Sequence, residues 1–240
     1  IGGNVYGNIS IPKVDTLHVN GAVFGDLSFP NGLPSGAGVS IDGLLADTAS
    51  VNFNGEELAG LLSLGGGSAD QSVINAGPLT GEVRLLGNAY SGRATFSSMA
   101  FSGAIVMRSA NFGGSINVAG DWEGLLDFAA GTFAPEGFIA IGGNLAADGS
   151  IQVDGDMAGD IHVGGAINGN VTVSGEFNGD ICGNNVPPTQ PLPSNVHIAE
   201  FGPNATICGA ALTVVLWNAD QLSPDRTTRS LRLKVGAPAI

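Results

Sequence analysis

One unit of ten residues is restated along most of this chain, and that repetition narrows what it can fold into. Residues 149–182 carry it most clearly. Ile151, Ile161, Val171 and Ile181 recur every ten residues, as do Val153, Val163 and Val173. Met157, Ile167 and Phe177 form a third column; Gly155, Gly165 and Gly175 form a fourth, and Gly159, Gly169 and Gly179 a fifth. The unit reads apolar-x-apolar-x-Gly-x-apolar-x-Gly-Asp/Asn/Ser. A fixed period of this kind is the mark of a repeat architecture.

The same register runs backwards with small insertions, through pairs such as Ile139/Ile141, Leu126/Phe128, Val83/Leu85, Val39/Ile41 and Ile9/Ile11. The stretch 66–76 fits it least well. Alternation with period two describes a strand with one buried face. Glycine after the pair suggests a bend at positive φ, and Asp or Asn after the next glycine suits a turn. Ten residues cannot bury such a face alone, whereas units stacked on one another can. The expected fold is all-β: a parallel β-helix (β-solenoid) of ten-residue half-coils, with 20–22 residues per coil and a right-handed crossover. Residues 1–182 would then make about nine coils, about 43 Å long at ~4.8 Å per coil. A triangular tube with three units per coil is one alternative. An antiparallel meander is another, since Gly-Asp and Gly-Asn also mark hairpins. A meander gives no reason for every unit to share one phase.

Composition agrees with a turn-rich β architecture. Glycine is 39 of 240 residues and charged residues are 12%, against typical values of about 7% and 25%. Apolar residues reach 43%, enough to build a core. The 8 basic residues face 21 acidic ones, a net charge of −13, which disfavours nucleic acid and anionic membranes. No apolar run is long enough to span a membrane. The chain opens on Ile1 with no leader-like segment, which fits removal of one.

The pattern changes after residue 182. Residues 183–194 (GNNVPPTQPLPS) are rich in proline, which stops strand pairing and favours extended linkers. Residues 195–240 contain VHIAEF, ATICGAALTVVLW and SLRLKV, which look like ordinary strands. The expected organisation is a solenoid over 1–182, a linker over 183–194 and a C-terminal β cap or assembly region over 195–240. Cys182 and Cys208 flank the linker. They are either a disulfide tying cap to solenoid, as in proteins of oxidising compartments, or two unpaired buried thiols. At the other end Ile1, Val5, Ile9 and Ile11 open in mid-repeat with no capping element. Such an edge invites association, and a head-to-tail contact that does not close gives a filament. Arg226, Arg229, Arg232 and Lys234 gather half of all basic residues near the other end, so these two groups are the candidate assembly surfaces.

Catalytic motifs are lacking. There is no G-x-S-x-G, H-E-x-x-H, phosphate loop or C-x-x-C. The three histidines, His18, His162 and His197, have no metal-ligand spacing. Asp154, Asp156, Asp160 and Asp180 gather in the last coils. In a twenty-residue coil Asp160 and Asp180 stack, which makes them a candidate Ca²⁺ pair; Asn8, Ser115 and Ser150 in the same place argue for a turn position instead. No other cofactor is expected. Outward positions such as Ser10, His18, Ser28, Ser40, Gln152, His162 and Thr172 form no regular hydroxyl column of the kind that binds ice. Asn8, Asn170 and Asn204 each begin an N-glycosylation acceptor triplet.

The run GGNLAADGSIQVDGDMAGDIHVGGAINGNVTVSGEFNGDI (142–181) resembles the glycine-rich repeats of secreted bacterial surface β-solenoids, the adhesins and autotransporter passenger domains. Bactofilin filaments are a more distant parallel, poorer in glycine. The resemblance is one of repeat style. It implies an extracellular or cell-surface location and a structural role. The expectation is therefore a non-enzymatic subunit of a filament, stalk or surface layer, assembled by head-to-tail stacking, with no nucleic acid partner and no membrane insertion. An adhesin or carbohydrate-binding module is the first alternative, although Tyr90 and Trp122 fall in the buried column. A polysaccharide-degrading enzyme is the second.

Overall fold

Alternation makes each unit a short strand with two side chains inward. In Ser150–Val153, Ile151 and Val153 are buried while Gln152 is exposed. The structure is a computed structural model and describes residues 1–97, 100–108, 111–129, 131–186 and 192–211. Successive units do not pair with each other. Each pairs in parallel with the next unit but one: Ile151 with Val171, and Ile161 with both Ile139 and Ile181. Two units therefore make one coil, and neither a meander nor a three-unit coil forms. Coil length varies from eighteen residues at Ile9/Leu27 to twenty-six at Ile181/Ile207. Insertions are absorbed at the corners because the strands alone set the register.

Alternate units build two parallel sheets. One has eleven strands, from Ile9–Ser10 to Ala210–Ala211; the other has nine, from Thr16–Val19 to Val196–Phe201. Their inward side chains form one continuous core. The third apolar position divides into two columns, one at each corner of the coil. Val5, Val23, Leu45, Ser68 and Tyr90 lead through Phe112, Phe133, Met157 and Phe177 to Phe201. Leu33, Leu58 and Leu79 occupy the other corner, as do Phe101, Trp122, Leu145 and Ile167. Like residues stack, so Tyr90 and Phe112 lie parallel, with centroids 5.7 Å apart. Each fully buried Leu, Ile or Phe here contributes about 1.5–3 kcal/mol by leaving water.

The weak unit at 66–76 belongs to the stack. Ser68 takes the apolar position, and its hydroxyl accepts the Gly92 amide at 3.0 Å. Ser72 is also buried and donates to the Ala69 carbonyl at 2.7 Å, while Ile74 and Ala76 fill the core. Two buried hydroxyls are tolerated because each has a partner.

The repeated glycines serve a different purpose from the one their sequence suggests. The glycines that follow the apolar pairs, Gly155, Gly165 and Gly175, have no positive φ, and neither do Gly159, Gly169 and Gly179; a Cβ on Gly179 would lie 1.9 Å from the Gly159 carbonyl oxygen. The same holds for Gly124 above Gly103, again at 1.9 Å. These positions are glycine because coils approach through their corners more closely than a methyl group permits. The expected left-handed geometry occurs elsewhere, for example at Gly36 with φ 83°.

The register also continues past residue 182. Val196–Phe201 pairs in parallel with Asn170–Phe177, and Thr206–Ile207 with Asp180–Cys182. VHIAEF is therefore a strand of a further coil, where the sequence suggested the start of a separate cap. Among the described residues the chain reverses only at Ala210–Ala211, which pairs antiparallel with Thr206–Ile207. SLRLKV, most of ALTVVLW and residues 187–191 lie outside the described residues.

Candidate functional site

Acidic and amide side chains at the corners are the residues most able to carry chemistry, and the coil geometry decides how they are used. Asp121 accepts the Asn144 amide at 2.6 Å; Asn144 in turn accepts the Ala166 amide at 2.9 Å. Asp156 accepts the Glu176 amide at 2.8 Å, and Asn8 the Asp26 amide at 3.0 Å. Each side-chain oxygen engages the backbone of the next coil. Strand ladders cannot continue around a bend, so a short acceptor at the corner satisfies the amide that would otherwise lack a partner.

Asp160 and Asp180 follow this rule. They occupy matching positions on adjacent coils, and Asp160 Oδ1 accepts the Asp180 amide at 2.7 Å. The Asp180 carboxylate has three donors: Thr206 Oγ1 at 2.6 Å, the Gly209 amide at 2.9 Å and His162 Nε2 at 2.9 Å. Burial by itself would raise the Asp180 carboxyl, but the Gly209 amide, the Thr206 hydroxyl and His162 hold it below its ordinary value. Among the described residues no group of three or more His, Cys, Asp or Glu side chains is disposed to hold a metal ion. What the arrangement does is fasten the last coil to the one beneath it.

The Cys182–Cys208 disulfide closes the same corner, with Cα atoms 4.6 Å apart. Cys182 lies beside His162 on the outer face of the eleven-stranded sheet. Covalent bond, carboxylate cluster and strand pairing thus converge on residues 180–209. The sequence offered the cysteines and both aspartates; it gave no sign that Thr206 and Gly209 would complete the cluster, because they lie beyond the proline-rich segment.

The histidines point outward. His18 lies 3.0 Å from Asp42, and His162 is bound to Asp180; His197 is exposed. Arg84 pairs with Glu82 and Arg108 with Asp127. At the first coil Ile1 is 49% exposed, Ile9 and Ile11 are partly covered, and Val5 is buried beneath Val23. Val14 and Leu17 are also only partly covered. Tyr6 and Phe24 stack on the outside with centroids 5.0 Å apart, Tyr6 being 75% exposed. Arg226, Arg229, Arg232 and Lys234 lie outside the described residues. Tyr90 and Trp122 are buried, and among the described residues neither the Tyr90 hydroxyl nor the Trp122 ring nitrogen has a hydrogen-bond partner.

Among the described residues no helix is long and apolar enough to cross a membrane. Comparison with family models, with curated proteins and with solved structures found no match to this chain.

Proposed function

We propose that this chain is an extracellular structural protein, a rod that serves as the subunit of a filament, stalk or surface layer by stacking coil upon coil. The observation that carries the reading is the edge formed by Ile9–Ser10 and Thr16–Val19. These strands end the two sheets of this chain, and beside them Ile9, Ile11, Val14 and Leu17 are only partly covered. Ile1 covers only the end of this edge, bonding the His18 carbonyl and the Asn20 amide; the remaining strand edge with its adjacent apolar side chains is a template for a further coil. Repetition of one such contact gives an open filament rather than a closed ring.

Two further features support the reading. The corner carboxylates and amides are engaged in holding coils together, which favours a mechanical role over a chemical one. The disulfide favours an oxidising, extracellular location. Negative-stain electron microscopy of the purified chain tests the proposal. Fibres one solenoid wide are expected, lengthening with concentration; isolated short particles at every concentration would refute it.

A further inference from the structure

One face of the solenoid carries a run of polar side chains that are only partly engaged with one another. On the outer face of the eleven-stranded sheet, Ser28, Asn52, Asn75, Thr95 and Asn117 follow one another rung by rung. Asn52 accepts the Asn54 amide, and Asn117 donates to the Ser115 hydroxyl. Between them, the side chains of Asn75 and Thr95 take no hydrogen bond among the described residues, and neighbouring Arg93 takes no ion pair. Arg84 and Arg108, by contrast, are both paired.

Beside these rungs runs an open groove of about 450 Å³. Asp70, Arg93 and Glu136 line it together with Gly92, Gly113 and Gly114. Gly114 is required by stacking, since a Cβ there would lie 2.2 Å from the Gly92 carbonyl oxygen. Gly113 is not. Its φ is ordinary, and a Cβ would meet only Ala134 and a Glu136 carboxylate oxygen, each at 3.8 Å. Nothing in the fold demands glycine there, yet any longer side chain would enter the groove.

We propose that this groove and the adjoining rungs bind a strand of neutral polysaccharide laid along the solenoid axis. Sugar hydroxyls both donate and accept. Asp70 and Glu136 offer charged acceptors, Arg93 a charged donor, and Asn75 and Thr95 groups of both kinds; hydrogen bonds to charged groups are the stronger ones. Two carboxylates against one guanidinium leave the groove acidic, on a chain of net charge −13, so a polyanionic glycan is repelled. The next rung after Ser115 is Phe138, outward and half-buried, which gives the C–H face of a sugar ring an apolar surface.

Isothermal titration of the full chain with cellohexaose and mannohexaose tests this, with an oligogalacturonate of similar length as the anionic comparison. Binding of at least one neutral hexasaccharide is expected. Arg93→Ala and Gly113→Tyr should each weaken it by about tenfold or more, with unchanged thermal unfolding. Three results would overturn the proposal: no heat with either neutral sugar at millimolar concentration, equal binding by both variants, or binding of the oligogalacturonate alone. The outcome is independent of assembly, because a monomer that binds sugar retains this inference and loses the structural one, and a fibre that does not bind does the reverse.

Discussion

Asp160 sits directly beneath Asp180, and its carboxylate accepts the Asp180 backbone amide at 2.7 Å. Two acidic residues stacked one coil apart suggest repulsion or a bridging cation. Here the lower carboxylate bonds the upper backbone, and the upper carboxylate turns to Thr206, Gly209 and His162. The contact recurs at other corners with Asp or Asn as acceptor, which explains why the repeat permits either residue there.

Acid unfolding should expose this anchor. The folded-state value of Asp180 lies below its ordinary one, so the unfolded chain binds the proton more readily. The stability that Asp180 contributes is complete above the usual carboxylate value of about 3.9 and is lost as pH falls through the folded-state value. Asp180→Ala should cost about 1–3 kcal/mol at neutral pH and flatten the acid limb of the stability curve. Urea midpoints measured from pH 7 down to pH 2 check both effects.

A glycine series separates close approach from backbone strain. Gly124→Ala places a methyl group 1.9 Å from a backbone oxygen, and a loss of about 3 kcal/mol or failure to fold is expected. Gly36 has φ 83° and open space around its Cβ, so alanine there should cost only about 1 kcal/mol. Gly113→Ala meets neither obstacle and should be neutral or slightly stabilising. Thermal unfolding of the three variants should rank them in that order.

Tyr90 is buried with its hydroxyl unpaired. Tyr90→Phe removes an unsatisfied polar group and keeps the stack on Phe112, so a gain of about 1 kcal/mol is expected. Burial also raises the phenol above its ordinary value, so above about pH 10 the unfolded chain ionises more readily and stability falls as pH rises. Tyr6→Phe leaves Tyr90 as the one tyrosine, since the chain has two. In that variant the phenolate absorbance step should coincide with loss of β-sheet circular dichroism.

The disulfide spans 26 residues of chain. Closure of a loop of that size is worth about 3.5 kcal/mol on chain-entropy grounds. Replacing both Cys182 and Cys208 with serine should lower stability by about that amount and loosen the last coil first. Limited proteolysis should then cut between residues 183 and 211 before any site in the earlier coils.

The inward pairs were legible because period two and period ten both show in a single sequence, and Ile151, Ile161 and Val171 declare their phase without any structure. Other features depend on what lies one coil away. Ser68 looks like a break until the Gly92 amide is seen to need its hydroxyl. Gly179 reads as a turn residue until the Gly159 carbonyl is placed beneath it. Val196–Phe201 was obscured because a proline-rich insertion separates it from the unit it follows. The outward columns likewise became two distinct faces only after two units were known to close one coil. That closure put Asn75, Thr95 and Asn117 on one surface and His18 and Ser40 on the other.

Sedimentation velocity over a range of concentrations, on the wild-type chain and on Ile11→Lys, tests the central claim most directly. Lysine at this half-covered edge position, which packs on the first rung of the core, would set charge against an incoming coil. The account predicts that wild-type mass grows with concentration and that the variant remains a monomer of 24.0 kDa. A wild-type chain that stays monomeric throughout, or a variant that assembles equally well, would contradict it.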